Sequence, residues 1–333
     1  MINPFPYSDT NKRYHTYDYY LRHRYGTKCA RIPIDAGFSC PNRSPGGEGG
    51  CTYCSARGSG DFCADTLLPP QVQFAHEYER LCEKWGRRLP AIPYFQAFSG
   101  TFSPIERLRE IYGAVSDYRL ADGSRAEIPA LIIATRPDCL CEEVVAYLST
   151  LASQYDLTVE LGLQSAHDAT LRRIRRGHDF DTFCRGYHAL TDAGIDVCVH
   201  VINGLPTEGK HIEDRTQMIE TASRLAALRP AFVKIHMLHI LRGTQMEQEY
   251  LRGEIHLLSM EEYVSIVCEQ LTLLPPTTVV CRLTGDGAQE ALIAPQWTKN
   301  KRAVLASIDR TLAQGKQYQG IAFSDTSPTN STP

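Results

Sequence analysis

Apolar positions recur along the chain in two alternating rhythms. Over 71–88, Val72, Phe74, Ala75, Tyr78, Leu81, Cys82 and Trp85 fall at helical spacing, and Gly86 and Pro90 stop the segment. The stretch 92–98 is a short apolar and aromatic run that ends at Ser99-Gly100-Thr101-Phe102, which predicts a strand. The pattern then repeats. It predicts a helix over 104–118, a strand over 130–135, a helix over 142–153 and a strand over 158–163. Helices over 168–176 and 181–193, a strand over 196–202, a helix over 214–228 and a strand over 232–238 complete the run. A first strand over 28–35 precedes it, with Pro33 an awkward residue for a central position. Alternating strands and helices call for a parallel sheet with helices outside. About six βα units make the expected fold α/β, a partial (β/α)6 TIM-like barrel with a C-terminal α/β extension.

Polar punctuation follows the strands at Ser99-Gly100-Thr101, Thr135-Arg136, Gln164-Ser165 and Asn203-Gly204-Leu205-Pro206. In a parallel barrel these junctions ring one mouth, where sites are built. The core is expected over 1–240, with an aromatic and basic extension over 1–27. Its tyrosines (Tyr14, Tyr17, Tyr19, Tyr20, Tyr25) and arginines suit either base stacking or a helix packed on the barrel, and packing is favoured. Over 241–320 a helix at 260–274, a strand at 278–283 and a helix at 298–313 form a closing segment. The Ser-, Thr- and Pro-rich 321–333 reads as a disordered tail.

Composition narrows the setting. The 333 residues are enough for one large domain, and a net charge of −3 gives no global field toward nucleic acid or anionic membrane. No apolar run is of membrane-spanning length, so no membrane partner is expected. Twelve cysteines without a leader segment read as thiols of a reducing cytoplasm rather than disulfides.

Three of those thiols share a Gly- and Pro-rich loop. Ten residues separate Cys40 from Cys51 and two separate Cys51 from Cys54. Structural zinc wants four protein ligands and a [4Fe–4S] cluster normally four cysteines, so three in one loop imply a coordination site left for a reactant. The metal ligands expected are Cys40, Cys51 and Cys54.

With Tyr53 just before the last cysteine, this loop resembles that of the radical S-adenosylmethionine (SAM) enzymes, in the long-gapped form of the Elongator catalytic-subunit branch. The usual spacing is Cys-x3-Cys-x2-Cys, so the ten-residue gap is a departure. Further matches run in order along the barrel. Ser99-Gly100-Thr101-Phe102 resembles Gly-Gly-Thr-Phe, and Thr135-Arg136-Pro137-Asp138 repeats Thr-Arg-Pro-Asp, with Ala134 where eukaryotic relatives carry Glu. Gln164, with Arg176 twelve residues beyond, resembles a pair that contacts SAM in oxygen-independent coproporphyrinogen oxidases. His200-Val-Ile-Asn-Gly-Leu-Pro206 resembles the fifth-strand motif. Lys234-Ile-His-Met-Leu-His239 resembles Lys-Ile-Tyr-Pro, with His236 in place of Tyr. Cys40-Pro-Asn-Arg43, Gly204-Leu-Pro206 and Arg282-Leu-Thr-Gly-Asp286 resemble a mostly uncharacterised bacterial family related to Elongator.

The resemblance implies a [4Fe–4S] cluster and SAM as cofactors, reductive SAM cleavage, and hydrogen abstraction by a 5′-deoxyadenosyl radical. It implies cofactor contacts at Tyr53, Gly100, Thr101, Gln164, Arg176 and His200, with Lys234, His236 and His239 the candidates for substrate chemistry. A flavodoxin- or ferredoxin-type protein is the implied electron donor. Because Elongator-type enzymes act at carbon 5 of wobble uridine, a tRNA base is the leading substrate, with Arg172 to Arg176 a local RNA contact. No acetyltransferase segment is expected beyond the barrel and its closing segment. The readings kept beside this one are a radical SAM reaction on a small metabolite, a zinc module with Cys63 or a nearby His as fourth ligand, and an iron–sulfur protein that does not cleave SAM.

Overall fold

A computed structural model describes residues 3–58, 63, 67–120, 122–208, 211–285 and 290–324. Its centre is a curled sheet of seven parallel strands: β1 (Ala30–Ile34), β2 (Ala91–Phe95), β3 (Ala130–Thr135), β4 (Asp156–Gln164), β5 (Asp196–Asn203), β6 (Phe232–Met237) and β8 (Val279–Arg282). The first six pair in chain order. Parallel neighbours need a crossover, supplied here by α2 (Pro70–Trp85), α3 (Ile105–Ser116), α4 (Glu142–Ala152), α6 (Phe180–Asp192) and α7 (Arg215–Leu228). After β6 come β7 (Ile240–Leu241), α8 (Gln245–Leu251) and α9 (Met260–Leu273), which returns the chain to β8. A short β9 (Leu292–Ala294) pairs antiparallel with β7, and α10 (Lys301–Gln314) packs on α9. The closing segment thus adds a seventh strand to the sheet.

The helices' apolar stripes and the outer sheet face make one continuous core from Tyr14 to Leu312. Ile133, Val159, Leu161, Val199 and Val233 meet Leu108, Tyr112, Leu148, Phe183, Val267 and Leu271 there, all fully buried. That leaves the inner face for side chains that do chemistry.

α1 (Tyr17–Tyr25) closes the barrel at the strands' N-terminal ends. Thr16 Oγ1 accepts from Tyr19 N at 3.1 Å to start it, and Gly26 ends it at φ 71°. Tyr17 and Tyr20 pack with Cys198, Phe232 and Val279, while Leu21 packs with Ile92, Tyr94, Ala130 and Ile132. These tyrosines are consumed by packing rather than left to stack bases.

Both sheet edges are covered. β1 is an edge strand, which accommodates Pro33. Along it the Gln73 side chain mimics a strand, accepting from Asp35 N at 2.9 Å and donating to Asp35 O at 2.7 Å. At the other edge, Val280 N donates to His15 O at 2.7 Å. Residues 321–324, assigned by composition to the tail, are tied down: Ala322 N donates to Thr272 O at 2.9 Å. Asp286 of the late motif, and residues 325–333, lie outside the described residues.

Candidate active site

The strands' C-terminal ends open into a cavity of about 670 Å³. Its mouth is lined by Cys40, Cys51, Tyr53, Cys54, Ser99, Thr135, Arg136, Gln164 and Arg176. Deeper lie Arg31, Tyr94, Glu160, His200, Lys234, His236 and Arg282.

The cysteine loop is shaped by its own backbone and by two side chains. Arg43 N donates to Cys40 O at 2.9 Å, Cys54 N to Cys51 O at 3.0 Å, and Gly50, at φ 95°, donates to Asn42 O at 2.7 Å. The Arg43 guanidinium stacks on Phe98, 5.1 Å from the ring centre, and donates to Ser55 O at 2.5 Å and Ala56 O at 3.2 Å. It also reaches Cys54 Sγ at 3.8 Å. Asn42 Nδ2 donates to Arg175 O at 2.5 Å and Thr52 N to Ile174 O at 3.0 Å. The turn after α5 (Asp168–Arg173) is thereby clamped to the loop, and it carries Arg176 into the mouth.

Arg176 ties this mouth together. Its Nη2 donates to Gly162 O at 2.8 Å and its Nη1 to Cys51 Sγ at 3.7 Å, while Asn42 Nδ2 reaches the same sulfur at 3.5 Å. Gly162 is glycine for space, since a Cβ there would stand 2.6 Å from Arg176 Nη2 and 2.7 Å from Gln164 Nε2. Burial pushes the Cys51 thiol up, but the charge and hydrogen bond of Arg176, with Arg136 beyond, outweigh it and hold it below the ordinary thiol range. Cys54, buried beside Cys51, is pushed up to about 11.

Several buried polar atoms at the mouth have no partner among the described residues: Ser99 Oγ, Arg136 Nη1, Gln164 Oε1 and Arg176 Nε. Buried polar groups are rarely left so, and unused donors and acceptors around three thiols fit a polar, charged ligand beside a thiolate-bound cluster. Gln164 also sits at φ 78°, a strained conformation for a non-glycine residue. Among the described residues no three His, Cys, Asp or Glu side chains, the loop cysteines included, are drawn together around a single ion, and Cys63 accepts from Gln96 Nε2 at 3.4 Å.

Not every expected contact lines the cavity. Gly100 lies behind it, its N–H on Ala134 O at 2.8 Å and its C=O taken by Tyr112 Oη. Thr101 Oγ1 meets Thr135 Oγ1 at 2.6 Å and donates to Cys139 O at 2.8 Å, so Ser99 is the member of that motif on the cavity wall. Asn203 pairs with Gln270 in two 2.9 Å bonds, away from the mouth. Tyr53 and His200 both line the cavity.

The deep half carries charge. Glu160 accepts from Tyr94 Oη at 2.5 Å and is ion-paired with Lys234, whose Nζ is 3.1 Å from the same hydroxyl. Burial opposes the charged carboxylate, but Lys234, the Tyr94 hydroxyl and Arg31 together outweigh it and hold Glu160 below the usual carboxylate range. Burial and nearby Lys234 hold His200 neutral, down to about 3. His236, its ring centre 4.2 Å away, is likewise held well below its usual value by burial and by His200. His239 lies over Gly285, where a Cβ would stand 2.3 Å from its ring. The Nε2 atoms of all three histidines are without partners among the described residues.

Glu160, Tyr94, Arg31, Asn42, Arg43 and Arg136 were not among the expected site residues. Strand alternation holds the signal for Glu160, because it is two residues before Gly162 and four before Gln164 on one inner face.

Comparison with known proteins bears on this geometry. The sequence profile of the radical SAM superfamily matches residues 41–221, and that of the radical SAM C-terminal domain matches 230–314. The chain is 45% identical to the uncharacterized protein YtqA of Bacillus subtilis over 96% of both chains. It is 26% identical to Elongator complex protein 3 of Danio rerio over 71% of its own length, spanning about half of that protein, 47%. The structure superposes on an archaeal Methanocaldococcus infernus Elp3 with a TM-score of 0.66, at 18% identity, over 87% of this chain and 64% of that one. Among the described residues no helix is long and apolar enough to cross a membrane.

Proposed function

Because the chain belongs to the radical SAM superfamily, we propose that it is an enzyme holding a [4Fe–4S] cluster on Cys40, Cys51 and Cys54, with SAM beside it, and that it acts on a tRNA base. One observation carries the cofactor assignment: three thiols, the Arg176 guanidinium and four unpartnered buried polar atoms meet at one cavity mouth. When bound, the cluster and SAM supply reductive cleavage of the sulfonium C–S bond and a 5′-deoxyadenosyl radical that takes hydrogen from the substrate. The chain's own residues bind, orient and shield. Arg176 and Asn42 donate to Cys51 Sγ, which favours its thiolate, and Arg43 does so at Cys54. Arg176 Nε and Arg136 Nη1 remain as donors for the SAM carboxylate, and Gln164 Oε1 as an acceptor for its amino group. Neutral His200 and His236 offer hydrogen bonds to the ligand without adding charge.

A tRNA base as substrate rests on the likeness to Elongator complex protein 3 and on Arg172, Arg173 and Arg175 at the mouth-forming turn. Arg173 is ion-paired with Glu249 at 2.6 Å, so Arg172 and Arg175 are the better RNA contacts. A flavodoxin- or ferredoxin-type donor supplies the electron. The test is to incubate reconstituted protein, reductant and SAM with bulk tRNA grown in deuterated medium. Deuterium appearing in 5′-deoxyadenosine supports the reading. If it appears only with a metabolite extract, the substrate is a small molecule instead.

A further inference from the structure

Gln164 offers its side chain to the mouth from a backbone that does not hold itself. It ends β4 at φ 78°, where the ladder to β5 shifts register between Gly162 and Gln164. Its Oε1 is buried on the cavity wall without a partner among the described residues. An irregularity of this kind at a strand end re-aims a side chain. A left-handed non-glycine residue is strained, and it persists only where its surroundings over-determine it.

The turn after Gln164 shows what does so. Residues 165–167 hang on α7 and on the segment that enters it. Ala166 N donates to Thr221 Oγ1 at 3.2 Å, Ala166 O accepts from Arg224 Nη1 at 3.1 Å, and His167 Nε2 lies 2.9 Å from Gln217 O. Next to Gln164 itself, the Ser165 hydroxyl donates to Glu213 Oε1 and accepts from His167 N at 3.0 Å. Glu213 N in turn donates to Leu205 O at 2.8 Å, in the Gly204-Leu205-Pro206 turn that follows β5. One residue thus joins the ends of two neighbouring strands.

Glu213 is an expensive choice for that place. It is 2% exposed, and among the described residues it has no ion pair to offset its burial. Burial pushes its carboxyl up, so the Ser165 hydroxyl is given an acceptor oxygen rather than a charge. Ser165 is fully buried as well, which leaves its hydroxyl no water to turn to. Glu213 lines no part of the cavity. Its reach into the mouth runs through Ser165 to Gln164.

We propose that Glu213 is a positioning residue for SAM, which by holding Ser165 fixes Gln164 in its left-handed conformation and aims Oε1 at the mouth. This rests on the radical SAM reading, in which Gln164 accepts from the SAM amino group. It adds the residue that sets the aim.

Two measurements test it. Hydrogen exchange of the full chain without cofactors, followed by mass spectrometry, reads the junction directly. Amides of 163–168 should exchange about tenfold faster in Glu213→Met than in wild type, and within a few-fold of wild type in Glu213→Gln, which keeps an acceptor oxygen. Equilibrium SAM binding to anaerobically reconstituted holoprotein reads the consequence. Glu213→Met and Gln164→Ala should each weaken it about tenfold with iron content unchanged. Ser165→Ala should match Glu213→Met, and it carries the test if that variant does not fold. The double variant Glu213→Met/Gln164→Ala should bind within about threefold of Gln164→Ala alone, because no amide is left to aim. A carboxyl that only supported the fold would cost the same in both backgrounds. The proposal is overturned if exchange at 163–168 is unchanged in Glu213→Met and Ser165→Ala, if both bind SAM as wild type does, or if the losses in the double variant multiply. Wild-type holoprotein that binds no SAM, with the exchange difference intact, would instead overturn the radical SAM reading.

Discussion

Replacing Lys234 by Met removes the ammonium that neutralises Glu160 and leaves a carboxylate, 8% exposed, with the Tyr94 hydroxyl as its remaining donor. Breaking a buried ion pair on one side costs about 3–5 kcal/mol. The cavity admits water to one side of Glu160, so the lower end, about 3 kcal/mol, is the expected loss. A chain this long unfolds with an entropy of about 0.7 kcal/mol/K, so the loss lowers Tm by about 4 °C. The double variant Lys234→Met/Glu160→Gln removes both charges and should recover about 2 kcal/mol relative to the sum of the single losses. Thermal melts of the reconstituted wild type, both single variants and the double variant measure this coupling. A single-variant shift below about 1 °C, or strictly additive losses, would refute the claim that these two side chains are a buried, interdependent pair.

Further outcomes follow from the same geometry. Gly162→Ala places a methyl 2.6 Å from Arg176 Nη2, so equilibrium SAM binding should weaken about tenfold or more, about 1.4 kcal/mol, while the fold survives. Unchanged affinity would detach Arg176 from the cofactor. His200, held at about 3, and His236, also depressed, stay neutral in the folded chain while the unfolded chain protonates them near pH 6.5. The unfolded state then binds more protons, so stability falls as pH drops from about 6.5 toward 3, by up to about 1.4 kcal/mol per pH unit for each histidine. His200→Gln should flatten the fall in Tm between pH 7 and pH 5.5, and a slope equal to wild type would contradict the burial of a neutral imidazole.

The fold was legible because its elements are long and strongly patterned. The strand expected over 130–135 is β3 residue for residue, and the helix expected over 142–153 is α4, Glu142–Ala152. What escaped was short or non-local. β7, β9 and α8 span two, three and seven residues, too few for a period to show. The site divided the same way. Cys40, Cys51 and Cys54 announce themselves by spacing and Gln164 and Arg176 by resemblance to a known pair, and all five line one mouth. Of the floor, Lys234 was expected through the family motif and Arg31, Tyr94 and Glu160 were not. Arg31, Tyr94, Glu160 and Lys234 lie on four different strands, so only closure of the sheet makes them neighbours. Gly100 and Thr101 match the motif well but lie behind the wall, because a Cβ at Gly100 would stand 2.9 Å from Ala134 O and the segment packs hard on β3.

The central claim is that the three loop thiols hold a cluster competent to cleave SAM. Its most direct test is to reconstitute wild type and Cys54→Ala anaerobically with iron and sulfide, add dithionite and SAM, and quantify 5′-deoxyadenosine. The wild type should hold iron and release 5′-deoxyadenosine, while the folded variant should lose both. Wild-type protein that holds iron but never releases 5′-deoxyadenosine, or a Cys54→Ala variant that releases as much, would contradict the account.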